Sequence, residues 1–242
     1  MSIYAQVRVA DVLVTALDRM GGSSAAPFES LNVADYVGDN SDCVEKNISQ
    51  VASHCGGTQI AVMSAEHSNQ VTVAESGGKS EPADVIITKV PGLALLALSA
   101  DCVPVALVDA TARVVAVVHI GWKGLLVDVI QAALVAMTEH GADLIQTVAV
   151  IGPSICGSCY EVSTELAGRI TAEYPAAFVD ERHVDLAQAV QVQFEGQGVE
   201  VQRIAGCTYE SEELFSYRRA KGDPTGRGGL AVMLPVTGAS NG

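Results

Sequence analysis

What the chain has little of narrows its function before any motif is read. Of 242 residues only 14 are lysine or arginine, against 28 aspartates and glutamates, a net charge of −14. A surface of that sign repels phosphate backbones and anionic lipid, and no local basic patch is dense enough to override it, so neither nucleic acid nor a membrane surface is an expected partner. Long unbroken apolar runs are missing too. The longest tract, "PGLALLALSADCVPVALVDA", is interrupted by Asp101 and Pro104 and reads as two buried strands joined by a turn, not a membrane span. The opening residues "MSIYAQVRVADVLV" lack a basic segment, a continuous apolar stretch and a small-residue cleavage site, so no secretory signal and a cytoplasmic location are expected. In that setting the six cysteines, 43, 55, 102, 156, 159 and 207, are read as thiols, not disulfides. Histidines number five, too few for chemistry that needs several copper ions. Internal repeats and heptads are absent.

What is present is apolar. With 49% hydrophobic and 17% charged residues the chain can bury one large core, and a single domain over residues 1–242 is the default. The segments "TQIAVM", "QVTVA", "ADVIITKV", "LALLALS", "VPVALVD" and "RVVAVVH" read as strands, several too uniformly apolar for a sheet with one wet face. The implied fold is α+β or α/β, with mixed sheets covered by helices. A single N-terminal strand and a long loop at 21–40 come first. "SDCVEKNISQVASHCGG" reads as a helix with Asp42 and Glu45 as a capping box and Gly56-Gly57 as the stop. One amphipathic helix is expected over 124–141, two more around 164–174 and 185–194, and short strands near Val201 and Val232.

Three residues interrupt this apolar pattern at strand ends: His67 in "SAEHSNQV", Cys102 in "LSADCVPV" and His119 at the end of "RVVAVVHIGWKG". A histidine that closes a buried strand is either a satisfied core residue or a group with a chemical task. The separations, 35 and 17 residues, fit no local zinc motif, so a joint site has to be assembled by the fold. One thiolate and two imidazoles suit zinc or copper, and three protein ligands leave a fourth tetrahedral position open, as catalytic sites require. Gly121 and Gly124 bracket Trp122 and Lys123 where strand gives way to helix. That is either a tight turn around a packed tryptophan or a place where backbone amides and Lys123 hold an anion. "CGSC" at 156–159 has no second CxxC to complete a four-cysteine site, so a loop with two ordinary thiols is expected. "FSYRRAKGDPTGR" gathers Arg218, Arg219, Lys221 and Arg227, either a solvated charge run or an anion-recognising segment.

Taken in order, "PFESLNVADYVGDN", the helix with "EKN", "EHSNQV", "ADCVPV", "HIGWKG", "GPSI" with "CYEV", and "FSYRRAKGDPTGR" resemble the YfiH-type family. Its members have been called laccase-domain or multicopper polyphenol oxidase proteins, peptidoglycan editing factor and purine nucleoside phosphorylase. The resemblance runs from about residue 21 to 235. It implies one domain with a YfiH-like fold, related to that of the CNF toxin, and a zinc site (alternatively copper) ligated by His67, Cys102 and His119. It implies phosphorolysis of adenosine, inosine and 5′-methylthioadenosine, with adenosine deamination beside it. Asp101 is then the candidate proton-transfer group beside Cys102 and His119, and Asn32, Trp122, Lys123, Arg218 and Arg219 are the candidate substrate and phosphate contacts. The chain departs from the family pattern at Ala65, usually glutamine, at Ser68, usually glycine, and in "HIGWKG" for "HAGWRG"; Lys123 replaces a guanidinium fork by a point charge. Two other readings use the same residues: a metal-free cysteine hydrolase or amidase acting on peptidoglycan precursors, and copper-dependent phenol oxidation.

Overall fold

A strand that is apolar on both faces needs a covering layer on each side, and the chain meets that demand with four layers. The computed structural model describes residues 2–236. One sheet has the order β1 (Ile3–Val9), β2 (Val12–Leu17), β12 (Gly228–Met233), β7 (Leu93–Ser99), β3 (Gln59–Ser64) and β5 (Gly78–Pro82). The other runs β11 (Glu200–Arg203), β10 (Val148–Ile151), β8 (Val103–Asp109), β9 (Val114–Ile120), β6 (Val85–Thr88) and β4 (Val71–Val73). Both sheets mix parallel and antiparallel pairs. The helices are α1 (Ser41–His54), α2 (Trp122–Leu126), α3 (Val129–Glu139), α4 (Thr164–Glu173), α5 (Leu186–Gly196) and α6 (Tyr217–Ala220). This single α+β domain has none that is long and apolar enough to cross a membrane among the described residues.

The period-two alternation of side chains assigns each strand residue to a layer. Along β9, Val115 and Val117 meet the first sheet's Leu95, Ala97 and Val232 in a shared inner core. Val114, Ala116, Val118 and Ile120 turn outward under Leu125, Ala133, Met137 and Val190 of the helices. The first sheet is covered on its far side by Val51 and Ala52 of α1 and by Leu31, Val33 and Ala34 of the 21–40 loop. That loop has no regular structure because side chains replace a backbone ladder. Asn47 of α1 donates to the carbonyls of Ser30 and Asn32 and accepts from Ser23 N–H.

Several local expectations are corrected. The cap of α1 is Asn40, whose side chain accepts from the N–H groups of Asp42 and Cys43, in place of the expected Asp42–Glu45 box. The helix expected over 124–141 is two helices, because Asp128 adopts the left-handed conformation (φ +60°) and the Tyr174 hydroxyl takes the Leu125 carbonyl (2.7 Å). The N-terminal strand is a hairpin of β1 and β2. The polar segment "GKSEP", without a strand signal of its own, becomes edge strand β5 by pairing with β3.

Gly229 in β12 shows how closely the first sheet is packed. A Cβ there would stand 2.0 Å from the Ala97 carbonyl oxygen. Gly229→Ala is expected to destabilise by about 1–3 kcal/mol or more, lowering the melting temperature by about 2–4 °C per kcal/mol. Gly168→Ala in α4, where nothing lies within 4 Å of the new Cβ, should instead raise it slightly, by removing a helix-interior glycine. Differential scanning calorimetry reads both, and equal shifts of one sign would contradict this packing.

Candidate functional site

Strand register brings the chemistry to one end of the second sheet. β6 and β8 flank β9 as antiparallel neighbours, with Val85 opposite Val118 and Pro104 opposite His119. Asp84, just before β6, therefore lies beside His119, whose N–H donates to the Asp84 carbonyl (2.9 Å). Cys102, just before β8, reaches the same rim. By the alternation of their strands all three fall on the side facing the gap between the sheets.

His67 arrives on the loop between β3 and β4, and Asp84 shapes that loop. Its carboxylate accepts from the N–H groups of Glu66 (3.1 Å), His67 (3.0 Å) and Ser68 (2.6 Å) and from the Ser68 hydroxyl (2.8 Å). These bonds hold His67 at φ +59°, a left-handed conformation that costs a non-glycine residue on the order of 1–3 kcal/mol. The same carboxylate accepts from His119 Nδ1 (2.8 Å), which leaves His119 Nε2 for the site. One donor atom each from His67, Cys102 and His119 then lies within 4.8 Å of the others. Cys102 Sγ is 3.9 Å from His67 Nε2, and the two imidazoles meet edge to face with centroids 4.9 Å apart. Gly121 is glycine for this reason: a Cβ there would come 2.7 Å from His67 Cδ2 and 3.1 Å from Cys102 Sγ.

Burial opposes every charge in this group, and the group compensates internally. Against burial, hydrogen bonds from His119 and Ser68 hold the Asp84 carboxyl at about 2. His119, with His67, draws the Cys102 thiol down to about 6, while the Cys102 thiolate and Asp84 raise His119 to about 10. A thiolate and two imidazoles at this spacing, one imidazole oriented by a buried carboxylate, form a donor set that suits zinc, with one tetrahedral position left over.

The remaining sequence candidates separate. Trp122 is partly buried against the helical core, and the exposed Lys123 carries its ammonium 5.6 Å from the centre of that ring. Asp101 is beside the site, at φ +105°, but its oxygens accept from the Thr208 hydroxyl (2.6 Å), the Ser216 hydroxyl (2.7 Å) and Arg218 N–H (2.6 Å). It therefore ties loops together beside the site. Asn32 is fully buried, its amide shared among Ala34, Asp39 and Arg227 N–H, so it braces the frame. Arg219 donates to the carbonyls of Thr208, Tyr209, Ser211 and Leu214; this guanidinium cross-links a loop. Arg218 differs, lying 5.2 Å from the Tyr160 ring centre with one nitrogen on the Glu161 carbonyl (2.7 Å).

Asp84 and Tyr160 were not among the sequence candidates. An acid opening a buried strand, "ADVIITKV", was the available signal for Asp84. For Tyr160, burial and then the Cys102 charge push the phenol up to about 12, against the opposing Arg218, so it stands by the site as a neutral hydroxyl. Ser68, a departure from the family pattern, adds its hydroxyl to the Asp84 network. Elsewhere, a cavity of about 500 Å³ between α1 and β3 contains none of these residues.

With zinc as the probe metal in a chelator competition titration, Asp84→Asn is expected to weaken metal uptake at His67, Cys102 and His119 about 10–100-fold. Because the folded pKa is depressed, the stability that Asp84 contributes is present above its unfolded value near 3.9 and is lost as pH falls through about 2. The stability deficit of the variant should accordingly shrink between about pH 4 and 2; a deficit constant across that range would show that Asp84 is not held as described.

Comparison with known proteins agrees with this architecture. The chain is 39% identical over 220 residues to a Streptomyces coelicolor protein named purine nucleoside phosphorylase, covering 87% of this chain and 90% of that one. It superposes on the crystal structure of a Neisseria meningitidis protein with a TM-score of 0.85 at 27% identity, over 97% of this chain and 100% of that one. A Bacillus licheniformis YfiH structure gives a TM-score of 0.82 at 25% identity, over 92% of each chain. The profile of the family described as multi-copper polyphenol oxidoreductase laccase matches residues 13–235, and with that span, this fold and these relatives the chain belongs to the YfiH-type, laccase-domain family.

Proposed function

We propose that the protein is a zinc-dependent purine nucleoside phosphorylase that takes adenosine, inosine and 5′-methylthioadenosine with phosphate, and deaminates adenosine at the same centre. The observation that carries this reading is the convergence of His67, Cys102 and His119, a three-ligand set of the kind that leaves a fourth tetrahedral position for water or substrate, in a chain whose relatives bear the phosphorylase name. His67, Cys102 and His119 would hold the metal. A bound zinc supplies Lewis acidity and lowers the pKa of a coordinated water. Asp84 keeps the Nδ1 proton on His119 and so presents Nε2 inward. Tyr160 offers a hydroxyl donor that stays protonated at neutral pH. Phosphate is a dianion entering a protein of net charge −14, so a local cation has to offset the overall field. Arg218, next to Tyr160, is best placed for that task, with Lys123, two residues beyond Gly121, as the second contributor.

A metal-free cysteine hydrolase is favoured by one feature, the Asp84–His119–Cys102 series with its depressed thiol pKa, which resembles an activated nucleophile. His67 weighs against it, since a nucleophile needs one base and here two imidazoles flank one sulfur. Chemistry requiring several copper ions finds too few histidines. His54 bonds Gln6, His140 caps α3 on the Ala136 carbonyl, and His183 bonds Asp180.

Incubation with adenosine should yield inosine without phosphate, and adenine together with hypoxanthine, from phosphorolysis of that inosine, only when phosphate is present; His67→Ala and His119→Ala should abolish all of these products. Arg218→Ala is expected to raise the KM for phosphate while deamination changes much less. Equal loss of both activities in Arg218→Ala would assign that residue a structural role. Without metal, alkylation of Cys102 by iodoacetamide should be half-maximal near pH 6, and zinc should suppress it. Turnover that survives complete zinc removal and ends on alkylation would establish the hydrolase reading instead.

A further inference from the structure

A second group of donor atoms lies outside this centre. β10 and β11 are parallel neighbours, with Ile151 opposite Arg203. Each strand runs on into a short turn, and the turns are laced together: Ile204 N–H donates to the Ile151 carbonyl (2.9 Å), Thr208 N–H to the Ser154 carbonyl (3.1 Å), and Ser154 and Cys207 form a bridge. One turn reads Cys156-Gly-Ser-Cys159, the other Cys207-Thr-Tyr-Glu210. Both place a metal-ligating residue at their first and fourth positions, and facing residues are 51 apart in each case. The CxxC is thus faced by a CxxE that sequence inspection for a second CxxC could not find.

We propose that Cys156, Cys159, Cys207 and Glu210 form a structural zinc site. One donor atom from each lies within 4.8 Å of all the others. Cys159 Sγ is 3.6 Å from Glu210 Oε1, and Cys156 N–H donates to Cys207 Sγ (3.3 Å). Burial raises the Cys207 thiol, and the backbone N–H groups of Cys156, Glu210 and Tyr209 oppose that rise. Soft sulfur donors select zinc over magnesium or calcium, and four protein ligands leave no open position, so this site holds structure and does not react. A disulfide would use two of the sulfurs and leave the third thiol and the carboxylate unemployed. On binding Zn²⁺ the three thiols lose three protons and the carboxylate enters ionised; the resulting anionic site lies next to the Arg219 guanidinium, which grips the carbonyls of the same turn. The turns also carry Tyr160 and Thr208, and the Thr208 hydroxyl donates to Asp101, so this zinc would brace the loops around the first centre.

The test uses full-length protein, reduced, stripped with chelator, loaded with zinc and freed of excess metal by gel filtration. Elemental analysis should find two zinc ions per chain, falling to one in Cys159→Ser and to one in His67→Ala. Glu210→Gln, an exposed change that leaves the three sulfurs in place, should lose the second zinc to a chelator sooner than the parent does. Cobalt(II) loading of His67→Ala should give the intense sulfur-to-metal absorption of a thiolate-rich site, absent from Cys159→Ser carrying the same substitution. One zinc that persists in Cys159→Ser and vanishes in His67→Ala overturns this proposal and leaves the first centre standing. One zinc that persists in His67→Ala and vanishes in Cys159→Ser supports it and removes the metal from the first centre. A non-reduced mass lower by two hydrogens, with Cys156 or Cys159 joined to another cysteine and no zinc taken up after reduction, also overturns it.

Discussion

The candidate site depends on one carboxylate. Asp84 has no solvent exposure, and a charge so placed is tolerable only when its acceptor capacity is filled. Its partners come from two directions: four donors from the 66–68 turn and one from His119. The turn is thereby held in a conformation that His67 would not adopt alone, and the ring of His119 is held with Nδ1 on the carboxylate. His119, and to a lesser degree His67, then draw the Cys102 thiol down to about 6 against burial. Removing the carboxylate would release both histidines together, although they are 52 residues apart in the chain.

Four layers explain where such a group can sit. The gap between the sheets is filled by Val115, Val117, Leu95, Ala97 and Val232, so polar side chains of inward parity are accommodated only at its rim, where strands begin or end. β8 starts, and β9 and β10 finish, at the same end of the second sheet. Cys102, His119 and the 156–159 turn therefore share that end, and Asp101 stands between them, its carboxylate accepting from Thr208, Ser216 and Arg218. The rim with Cys102 and His119 and the thiol turns are two parts of one edge.

The basic segment near the C-terminus illustrates how one residue type divides its work. Arg219 satisfies four carbonyls of an irregular loop that has no strand partner to do so, a use to which a forked, five-donor group is suited. Arg218, one residue earlier, points to Tyr160 and the rim. Adjacent residues on a short helix face different ways, and nothing in "SYRRAK" distinguishes them.

Local patterns were legible in the sequence because they depend on neighbours along the chain. Uniform apolarity in "LALLALS", "VPVALVD" and "RVVAVVH" required burial on both faces, and β7, β8 and β9 are buried throughout. The strand-end positions of His67, Cys102 and His119 marked them as unusual, and the family resemblance grouped them. Boundaries set by tertiary contact were not legible: the break at Asp128 depends on Tyr174, and edge strand β5 exists only because β3 offers it a ladder. The same limit hid Asp84, whose role requires β6 to lie beside β9, and Glu210, which becomes a partner of Cys159 only when β10 and β11 run parallel in register. Side-chain periodicity is written residue by residue, whereas register between strands distant in sequence is decided by which pairing buries every apolar face at once; only the folded sheet could place these donors together.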